Sequence, residues 1–253
     1  MDLAIIGGTG LYDPGMLDEP RAIVASTPYG TASLHVGRHA GREVAFLPRH
    51  GAEHGVPPHR VNYRANIWAL RQVGARRIIA TAAVGSLRRE LGPGSIVLVD
   101  QFLDFTKSRP STFYDSSVRH TDMTEPYCPG LRALLAGAAD RTGAPATASG
   151  TYVCTEGPRF ETPAEIRMFA AMGGDVVGMT GVPEVVLAHE AGLHYATIAI
   201  VTNFAAGISP QPLTHEEVVA VMAENSERLR AMTLDVVEHV GEAGACGCEG
   251  PAG

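Results

Sequence analysis

The amino-acid sequence predicts an α/β protein, a single domain whose central mixed, largely parallel β-sheet is flanked by helices. Short β-branched apolar runs alternate with helical stretches along the chain, which is the pattern of such a fold. Several of the runs are continuously apolar, as expected for strands that are covered on both faces. With 45% hydrophobic and 19% charged residues, the 253-residue chain has the composition of a globular protein with a substantial core.

Seven short apolar runs predict the strands. They cover residues 3–6, 44–47, 77–82, 96–99, 151–154, 176–179 and 195–202. In open α/β sheets, ligands bind at the carboxyl ends of the strands. The loops that follow these runs are therefore where functional residues are expected.

Three helices are predicted around these strands. The first covers residues 61–73. The second begins after Thr162, because Pro163 suits the first helical position and Glu165 completes a capping box. The third begins after Thr214 with the same kind of box, and its apolar stripe continues to Val240. Since the composition stays even up to about residue 241, we expect one domain over residues 1–240 and a flexible Gly/Ala/Cys tail over 241–253.

Charge and hydropathy exclude several classes of function. A net charge of −7 and a pI of about 5.8 argue against sequence-independent binding of nucleic acid. No window approaches eighteen uninterrupted apolar residues, so no membrane span is predicted. The start of the chain lacks the basic region and the long apolar core of a secretory signal. A cytoplasmic protein is expected.

The four cysteines are Cys128, Cys154, Cys246 and Cys248. In a cytoplasmic chain they are expected to be reduced thiols, and the C-x-C pair in the tail is predicted to be mobile or, alternatively, a redox-sensitive or stabilising thiol pair. One C-x-C pair falls short of the four ligands of a zinc site. His189 and His194 are five residues apart, whereas the helical zinc motif needs a spacing of four. No metal site is predicted.

Two turns after predicted strands carry groups that bind anions. The turn Gly7-Gly8-Thr9-Gly10 exposes successive backbone N–H groups, and Thr9 adds a hydroxyl. It is not a dinucleotide fingerprint, because Asp13 stands where a third glycine is needed. After the second run, Arg49 offers paired planar donors to a phosphate and His50 offers another. A tight turn and a surface Arg-His pair are the alternatives, and both stay open.

Three further strand ends carry polar or aromatic side chains. Phe160 and Glu161 are held on a short loop before a capped helix, where the ring can stack on a base and the carboxylate can accept a ring N–H. Glu161 could instead only favour the helix N-terminus. Thr180 and Asn203 each follow a strand, and the Asn203 amide can both donate and accept along one edge of a purine. Each of these two segments could equally be a turn.

Together these segments resemble the trimeric purine nucleoside phosphorylase family, in particular its branch of methylthioadenosine and methylthioinosine phosphorylases. The resemblance covers about residues 4–240 and implies a phosphorylase-like α/β fold. It rests on six segments in the family's order and spacing, which are IGGTG at 6–10, RHG at 49–51, VNYRANIWAL at 61–70, GSL at 85–87, EGPRF at 156–160 and VPEVV at 182–186.

The resemblance implies a role for each site residue. Phosphate would be held by Thr9, Arg49, His50, the backbone around Ala82 and Ala83, and Thr180. The nucleoside would contact Phe160, Glu161, Met179, Thr202, Asn203, Ala205 and His215. Methylthioadenosine phosphorylases often carry threonine where this chain has Ala82, so one hydroxyl contact to phosphate is expected to be missing.

The implied mechanism needs no cofactor and no metal, because inorganic phosphate is itself the co-substrate. Ribose C1′ becomes cation-like as the glycosidic bond stretches, and phosphate beneath it stabilises that charge and attacks. The leaving purine gathers negative charge, which a donor at N7 or O6 stabilises. Asn203 and His50 are the candidate catalytic residues.

The base-site residues predict inosine and guanosine as substrates. A 6-oxopurine has an N1–H donor that matches Glu161 and an O6 acceptor that matches the Asn203 amide, whereas the bare N1 of adenine would be repelled by Glu161. His215 resembles a histidine that meets the 5′-hydroxyl in inosine and guanosine phosphorylases, although it could also simply face solvent. A methylthioinosine or methylthioadenosine phosphorylase therefore stays open as the alternative.

The resemblance also implies a homotrimer, or a hexamer of two trimers, in which a neighbouring subunit lends a residue to the site. Tyr114 and His120 lie in a long segment suited to that role. The expected partners are a purine nucleoside, phosphate and further copies of the chain, with no nucleic acid and no membrane. A nucleoside-binding module without catalysis is a third alternative, which the full set of phosphate-site residues disfavours.

Overall fold

The computed structural model describes residues 1–8, 11, 14–53, 55–209, 215–243, 246 and 248, with residues 215–217 described in backbone only. Within these ranges it has eleven strands and five α-helices. The strands are β1 (Leu3–Gly7), β2 (Asp18–Thr27), β3 (Gly30–His39), β4 (Arg42–Pro48), β5 (Arg77–Ser86), β6 (Ile96–Leu98), β7 (Gln101–Phe105), β8 (Ala146–Thr147), β9 (Thr151–Thr155), β10 (Val176–Gly178) and β11 (His194–Phe204). The helices are α1 (Tyr63–Gln72), α2 (Pro129–Arg141), α3 (Pro163–Ala171), α4 (Gly181–Glu190) and α5 (His215–His239).

The strands form one mixed sheet in the order β2-β3-β4-β1-β5-β10-β9-β7, with β11 added to β5, β6 to β11 and β8 to β6. The centre is parallel, because β1 pairs in parallel with β4 and β5, and β11 pairs in parallel with β5. The end of β5 instead pairs antiparallel with β10. This confirms the predicted fold class, and all seven predicted strands are present within it.

Two helical layers cover the sheet. Residues of α1 and α4 share one buried apolar cluster with one face of the sheet, and residues of α2 and α5 share a second cluster with the other face. Along β11, Tyr195, Ala199 and Val201 belong to the first cluster, whereas Ile198 and Ile200 belong to the second. This alternation explains why the run is continuously apolar in sequence.

The helix starts follow from their capping residues. The side chain of Thr162 accepts from the Glu165 N–H, and the Glu165 carboxylate accepts from the Thr162 N–H, so the predicted capping box is present. The first helix begins at Tyr63, two residues later than predicted, because the Asn62 side chain accepts from the Ala65 N–H at 3.1 Å and caps it. Thr214, the predicted cap of α5, lies outside the described residues.

Beyond α5 the chain continues into a short 3-10 turn, Val240–Glu242. Of the residues that follow, Cys248 is buried in the cluster formed by α2 and α5, and Cys246 packs against that cluster. The flexibility assigned to residues 241–253 stays a prediction. In the described parts of the chain, none of the helices has the combined length and apolar character that crossing a bilayer requires.

Candidate active site

The site is a cavity of about 510 Å³ where β4, β5, β10 and β11 end. Its lining contains every predicted site residue whose side chain the structure describes. These are Arg49, His50, Ala82, Ala83, Phe160, Glu161, Met179, Thr180, Thr202, Asn203 and Ala205. Thr9 and the side chain of His215 lie outside the described residues. Five separate segments of the sequence thus meet at one cavity, and the chemical role of each residue stays a prediction.

Arg49, which directly follows β4, is fixed by a buried carboxylate. Its Nε and Nη2 donate to the two carboxylate oxygens of Glu184 at 2.8 and 2.7 Å, and its Nη1 donates to the Thr81 carbonyl at 2.8 Å. The Tyr195 hydroxyl donates to the same carboxylate at 2.6 Å. Glu184 is fully buried and Arg49 nearly so. The guanidinium is therefore held in one orientation at the wall of the cavity.

The charge of Arg49 survives burial because of this pairing. Burial opposes the charged form, but the attraction and hydrogen bonds of Glu184 outweigh it, so the pKa of Arg49 is raised above its ordinary value. A guanidinium has five donor hydrogens, and the bonds to Glu184 and Thr81 use three of them. Among the contacts of the described residues, two hydrogens of Arg49 remain for an anion in the cavity.

The glycine turn after β1 approaches Arg49 closely. The Gly8 N–H donates to the Thr81 hydroxyl at 2.9 Å. A Cβ atom at position 8 would lie 2.7 Å from Arg49 Nη1 and 2.4 Å from the Thr81 carbonyl oxygen. Position 8 therefore requires glycine, because the turn after β1 packs this closely against Arg49 and Thr81.

His50 and Thr180 complete the polar end of the cavity. The Nδ1 atom of His50 lies 2.8 Å from the Val56 carbonyl oxygen, which can only accept, so Nδ1 carries a proton. Thr180 precedes α4, but among the described residues its hydroxyl makes no capping bond to that helix. The Thr180 and Gly181 N–H groups donate instead to the buried Tyr152 hydroxyl, at 3.2 and 3.4 Å. The Thr180 side chain is thus left to face the cavity.

A β-bulge brings two neighbouring side chains into the lining of the cavity. The pairing of β11 with β5 shifts between Val201 and Asn203, so Thr202 is an extra residue in the strand. Side chains of a regular strand alternate between faces, but here both Thr202 and Asn203 line the cavity. The Thr202 hydroxyl donates to Asn203 Oδ1 at 2.8 Å, and Asn203 Nδ2 donates to the Phe204 carbonyl at 3.0 Å. The second hydrogen of Asn203 Nδ2 is not used in this hydrogen bond.

Glu161 faces the cavity from the loop before α3. The Thr155 hydroxyl donates to its Oε1 at 2.7 Å. Burial raises the pKa of Glu161 above its ordinary value, and the Thr155 hydrogen bond opposes that rise. Phe160, beside it, is 41% exposed, which places an aromatic ring at the cavity rim.

A buried arginine that sequence reasoning missed anchors this loop. Arg109 donates from Nη2 to the carbonyls of Thr155 and Glu156, at 3.1 and 2.7 Å, and from Nη1 to the Val182 carbonyl at 2.7 Å. The Glu156 carboxylate accepts from the Lys107 N–H at 2.9 Å and lies 3.3 Å from Arg109 Nε. Arg109 therefore ties the end of β9 to the start of α4.

Glu184 and Tyr195 were also missed as members of the site. A signal for Glu184 exists in the sequence, because it is an acidic residue inside the apolar run Val182-Pro183-Glu184-Val185-Val186. A charge in such a run is buried with the core and needs an opposite charge close by. The sequence does not say which of the 20 basic residues supplies it.

Comparisons with known proteins show the family of this chain. A family model described as "Phosphorylase superfamily" matches residues 2–238. A curated relative from Moorella thermoacetica, named "Probable 6-oxopurine nucleoside phosphorylase", is 55% identical over 100% of this chain and 98% of its own length. A relative from Thermofilum pendens, named S-methyl-5'-thioadenosine phosphorylase, is 48% identical over 97% of this chain and 95% of its own.

Solved structures show the same fold. The methylthioadenosine phosphorylase from Schistosoma mansoni in complex with adenine superimposes with a TM-score of 0.92 at 37% identity. The match covers 96% of this chain and 92% of that protein.

Proposed function

The chain belongs to the phosphorylase superfamily, and on that premise we propose that it is a 6-oxopurine nucleoside phosphorylase. It would cleave inosine or guanosine with inorganic phosphate into the free purine and ribose 1-phosphate. The observation that carries the proposal is the placement of Glu161 and Asn203 in the same cavity as Arg49 and Thr180. One end of the cavity suits an oxyanion and the other suits a 6-oxopurine.

The polar end suits phosphate because its donors are held in place before any ligand arrives. Arg49 and Thr180 line the cavity together with Ala82 and Ala83, and among the described contacts two hydrogens of Arg49 are not used by Glu184 or Thr81. His50 adds its ring, oriented by Val56, and Thr9 is assigned here by family resemblance. The negative charge of Glu184 is neutralised within its pair with Arg49, so it does not oppose an incoming anion.

At the sugar, a phosphate oxygen would form a bond to ribose C1′ while the bond from C1′ to the purine N9 breaks. The electron pair of that bond leaves with the purine, and a proton is taken up by the base. Asn203 Nδ2 has one hydrogen that can stabilise the developing negative charge at O6 or N7. No cofactor or metal enters this scheme, which stays a prediction from the chemistry of the reaction.

At the base, Glu161 is proposed to accept the N1–H of hypoxanthine or guanine. The Thr155 hydrogen bond favours the ionised carboxylate that this role needs. Phe160 at the rim would stack on the purine, Met179 would pack under the ribose, and Thr202 would hold the Asn203 amide in position.

The alternative is a methylthioinosine or methylthioadenosine phosphorylase. This alternative is supported by the Thermofilum and Schistosoma proteins, which are named as methylthioadenosine phosphorylases. Recognition of the 5′ substituent of the ribose is assigned to His215, whose side chain lies outside the described residues. The preference for a 5′-hydroxyl is therefore proposed from family resemblance alone.

A cytoplasmic homotrimer, or a dimer of trimers, is proposed as the assembly, with a neighbouring subunit completing the site. Of the two candidate residues for that contact, Tyr114 donates within its own chain to the Glu190 carbonyl at 3.3 Å, whereas His120 is exposed. Val118 close by is 89% exposed, an apolar side chain that a subunit contact would cover.

The test is phosphate-dependent cleavage of a panel of nucleosides. The protein is incubated with inosine, guanosine, adenosine, methylthioinosine or methylthioadenosine, with and without phosphate, and kcat/KM is measured from base release. We expect ribose 1-phosphate to form from inosine and guanosine only when phosphate is present. A clear preference for methylthioadenosine would overturn the purine assignment, and equal cleavage without phosphate would overturn the reaction.

A further inference from the structure

Four soft or borderline metal ligands meet at the far end of β11 from Asn203. They are Cys128, His194, Cys246 and Cys248, whose ligand atoms all lie within 4.8 Å of one another. His194 opens β11, Cys128 directly precedes α2, and the two other cysteines follow α5. From this geometry we propose that the chain holds a structural Zn²⁺ ion between these three thiolates and the imidazole.

The spacings of three ligand pairs lie at, or up to about 0.4 Å below, those of a tetrahedral zinc centre. The Cys128 and Cys246 sulfurs are 3.4 Å apart, and His194 Nδ1 lies 3.1 Å from Cys246 Sγ and 3.6 Å from Cys128 Sγ. Zinc–sulfur and zinc–nitrogen bonds of about 2.3 and 2.0–2.1 Å place tetrahedral ligands about 3.5–3.8 Å apart. A Cys₃His set completes the four ligands of a structural zinc site.

A backbone hydrogen bond holds two of the ligands near each other. The Cys128 N–H donates to the Tyr195 carbonyl at 2.8 Å, which joins the residue before α2 to the start of β11, next to His194. Cys128 and Cys248 are buried, and Cys246 is half-buried. The C-x-C pair alone was no basis for a metal site in the sequence. The fold supplies the missing ligands from positions 118 and 52 residues away from Cys246.

Zinc binding by this cluster requires deprotonated sulfurs and a neutral imidazole. On binding, each thiol releases its proton to solvent, the imidazole nitrogen provides a lone pair, and Zn²⁺ exchanges bound water for the four protein ligands.

A disulfide is the competing use of the same cysteines. Its sulfurs must approach to about 2.05 Å, with loss of one hydrogen from each thiol to an oxidant. The 3.4 Å separation of Cys128 and Cys246 is that of two reduced sulfurs, and all four cysteines of the chain are free thiols. A zinc ion would join the carboxyl-terminal residues to β11 and α2 without any oxidant.

The first experiment measures metal content. Tag-free protein is purified under reducing conditions without chelator, and zinc is determined by plasma emission spectrometry. We expect about one zinc per chain. The double variant Cys246→Ser/Cys248→Ser should retain less than about a tenth of that amount. Cys154→Ala is the matched control, because Cys154 is a buried cysteine whose sulfur contacts Val182 rather than the cluster, and its zinc content should not change.

A second measurement covers the case in which the double variant does not fold. The intact protein is stripped of metal and titrated with Co²⁺, which should give the visible bands of a tetrahedral site and thiolate charge-transfer absorption at one equivalent. Absence of zinc from the purified protein together with no Co²⁺ spectrum would overturn the proposal. So would a mass lower by two hydrogens with no bound metal, since that result identifies a disulfide.

Discussion

Glu184 and Arg49 form a buried, two-pronged ion pair although they are 135 residues apart in the sequence. Glu184 lies in the first turn of α4, and Arg49 directly follows β4. The pair joins the helical layer to the carboxyl edge of the sheet at the wall of the cavity, so we expect stability and the proposed anion binding to depend on the same contact.

Replacing Glu184 by glutamine should damage both properties. Glu184→Gln leaves Arg49 buried without an opposite charge, which is expected to lower the free energy of unfolding by about 3–5 kcal/mol. Tyr195→Phe removes only the 2.6 Å hydrogen bond to the same carboxylate and should cost about 1.5–3 kcal/mol. Urea unfolding measures the loss of stability in both variants, and steady-state kinetics measure the KM for phosphate. Only Glu184→Gln should raise that KM. Equal effects of the two variants would contradict the role given to the ion pair.

Glu161 and Asn203 should together set the preference for the purine. Glu161→Ser removes the carboxylate that repels the bare N1 of adenine, and Asn203→Asp supplies a carboxylate oxygen that accepts from the adenine amino group. The double variant should shift the inosine-to-adenosine ratio of kcat/KM toward adenosine. Asn203→Ala alone should lower kcat for inosine by about 10²–10³-fold.

An exposed carboxylate serves as the control for this experiment. Glu43→Gln changes a partly exposed residue on β4 whose contact with Arg21 is a 4.0 Å surface pair. In this variant the inosine-to-adenosine ratio of kcat/KM should match that of the unmodified protein. An unchanged ratio in the double variant would refute the base-binding roles.

The pH dependence of inosine cleavage should report the environment of Glu161. Only the ionised carboxylate accepts N1–H, so kcat/KM should fall as the pH drops through the pKa of Glu161. Because burial raises that pKa, the fall should begin at a higher pH than for an ordinary glutamate. Thr155→Val removes the hydrogen bond that lowers the pKa, so the acid limb should move to still higher pH. Profiles of kcat/KM against pH test the direction, and a shift of the limb to lower pH would contradict it.

A methyl group at position 85 should disturb the Asn203 amide. A Cβ on Gly85 would lie 3.2 Å from Asn203 Nδ2 and 3.4 Å from Val177 Cγ1. Gly85→Ala should therefore lower kcat for inosine and leave the KM for phosphate nearly unchanged. Gly92→Ala is the matched control, because its Cβ would meet only Phe204 Cζ at 3.8 Å. If Gly85→Ala and Gly92→Ala had the same kcat for inosine, the role given to the position of the Asn203 amide would be contradicted.

The parts of the fold that the sequence predicted are those in which local pattern and burial agree. Runs such as β5 and β11 are covered on both faces and are apolar throughout. The hairpin of β2 and β3 was missed because β2 is largely exposed and begins with Asp18-Glu19-Pro20, a polar segment. Helix α4 was missed because Gly181 and Pro183 stand in its first turn, where they resemble a loop.

In the site, Arg49 and Asn203 could be identified because β4 and β11 run parallel within the sheet and bring their carboxyl ends to one edge. Contacts between distant segments could not, and the pairing of Arg49 with Glu184 is one of them. The cluster of Cys128 and His194 with Cys246 and Cys248 is another, since only the fold places the start of β11 beside the end of the chain.

The extra residue in β11 makes the proposed recognition of a base depend on strand length as well as on side-chain identity. Without Thr202 the pairing with β5 would be regular, and only one side chain of this pair of neighbours would line the cavity. An asparagine transplanted alone into an unbulged strand would therefore lack the neighbouring hydroxyl that donates to its Oδ1 at 2.8 Å. Anyone re-engineering selectivity on this scaffold has to transfer the insertion and the amide as one unit.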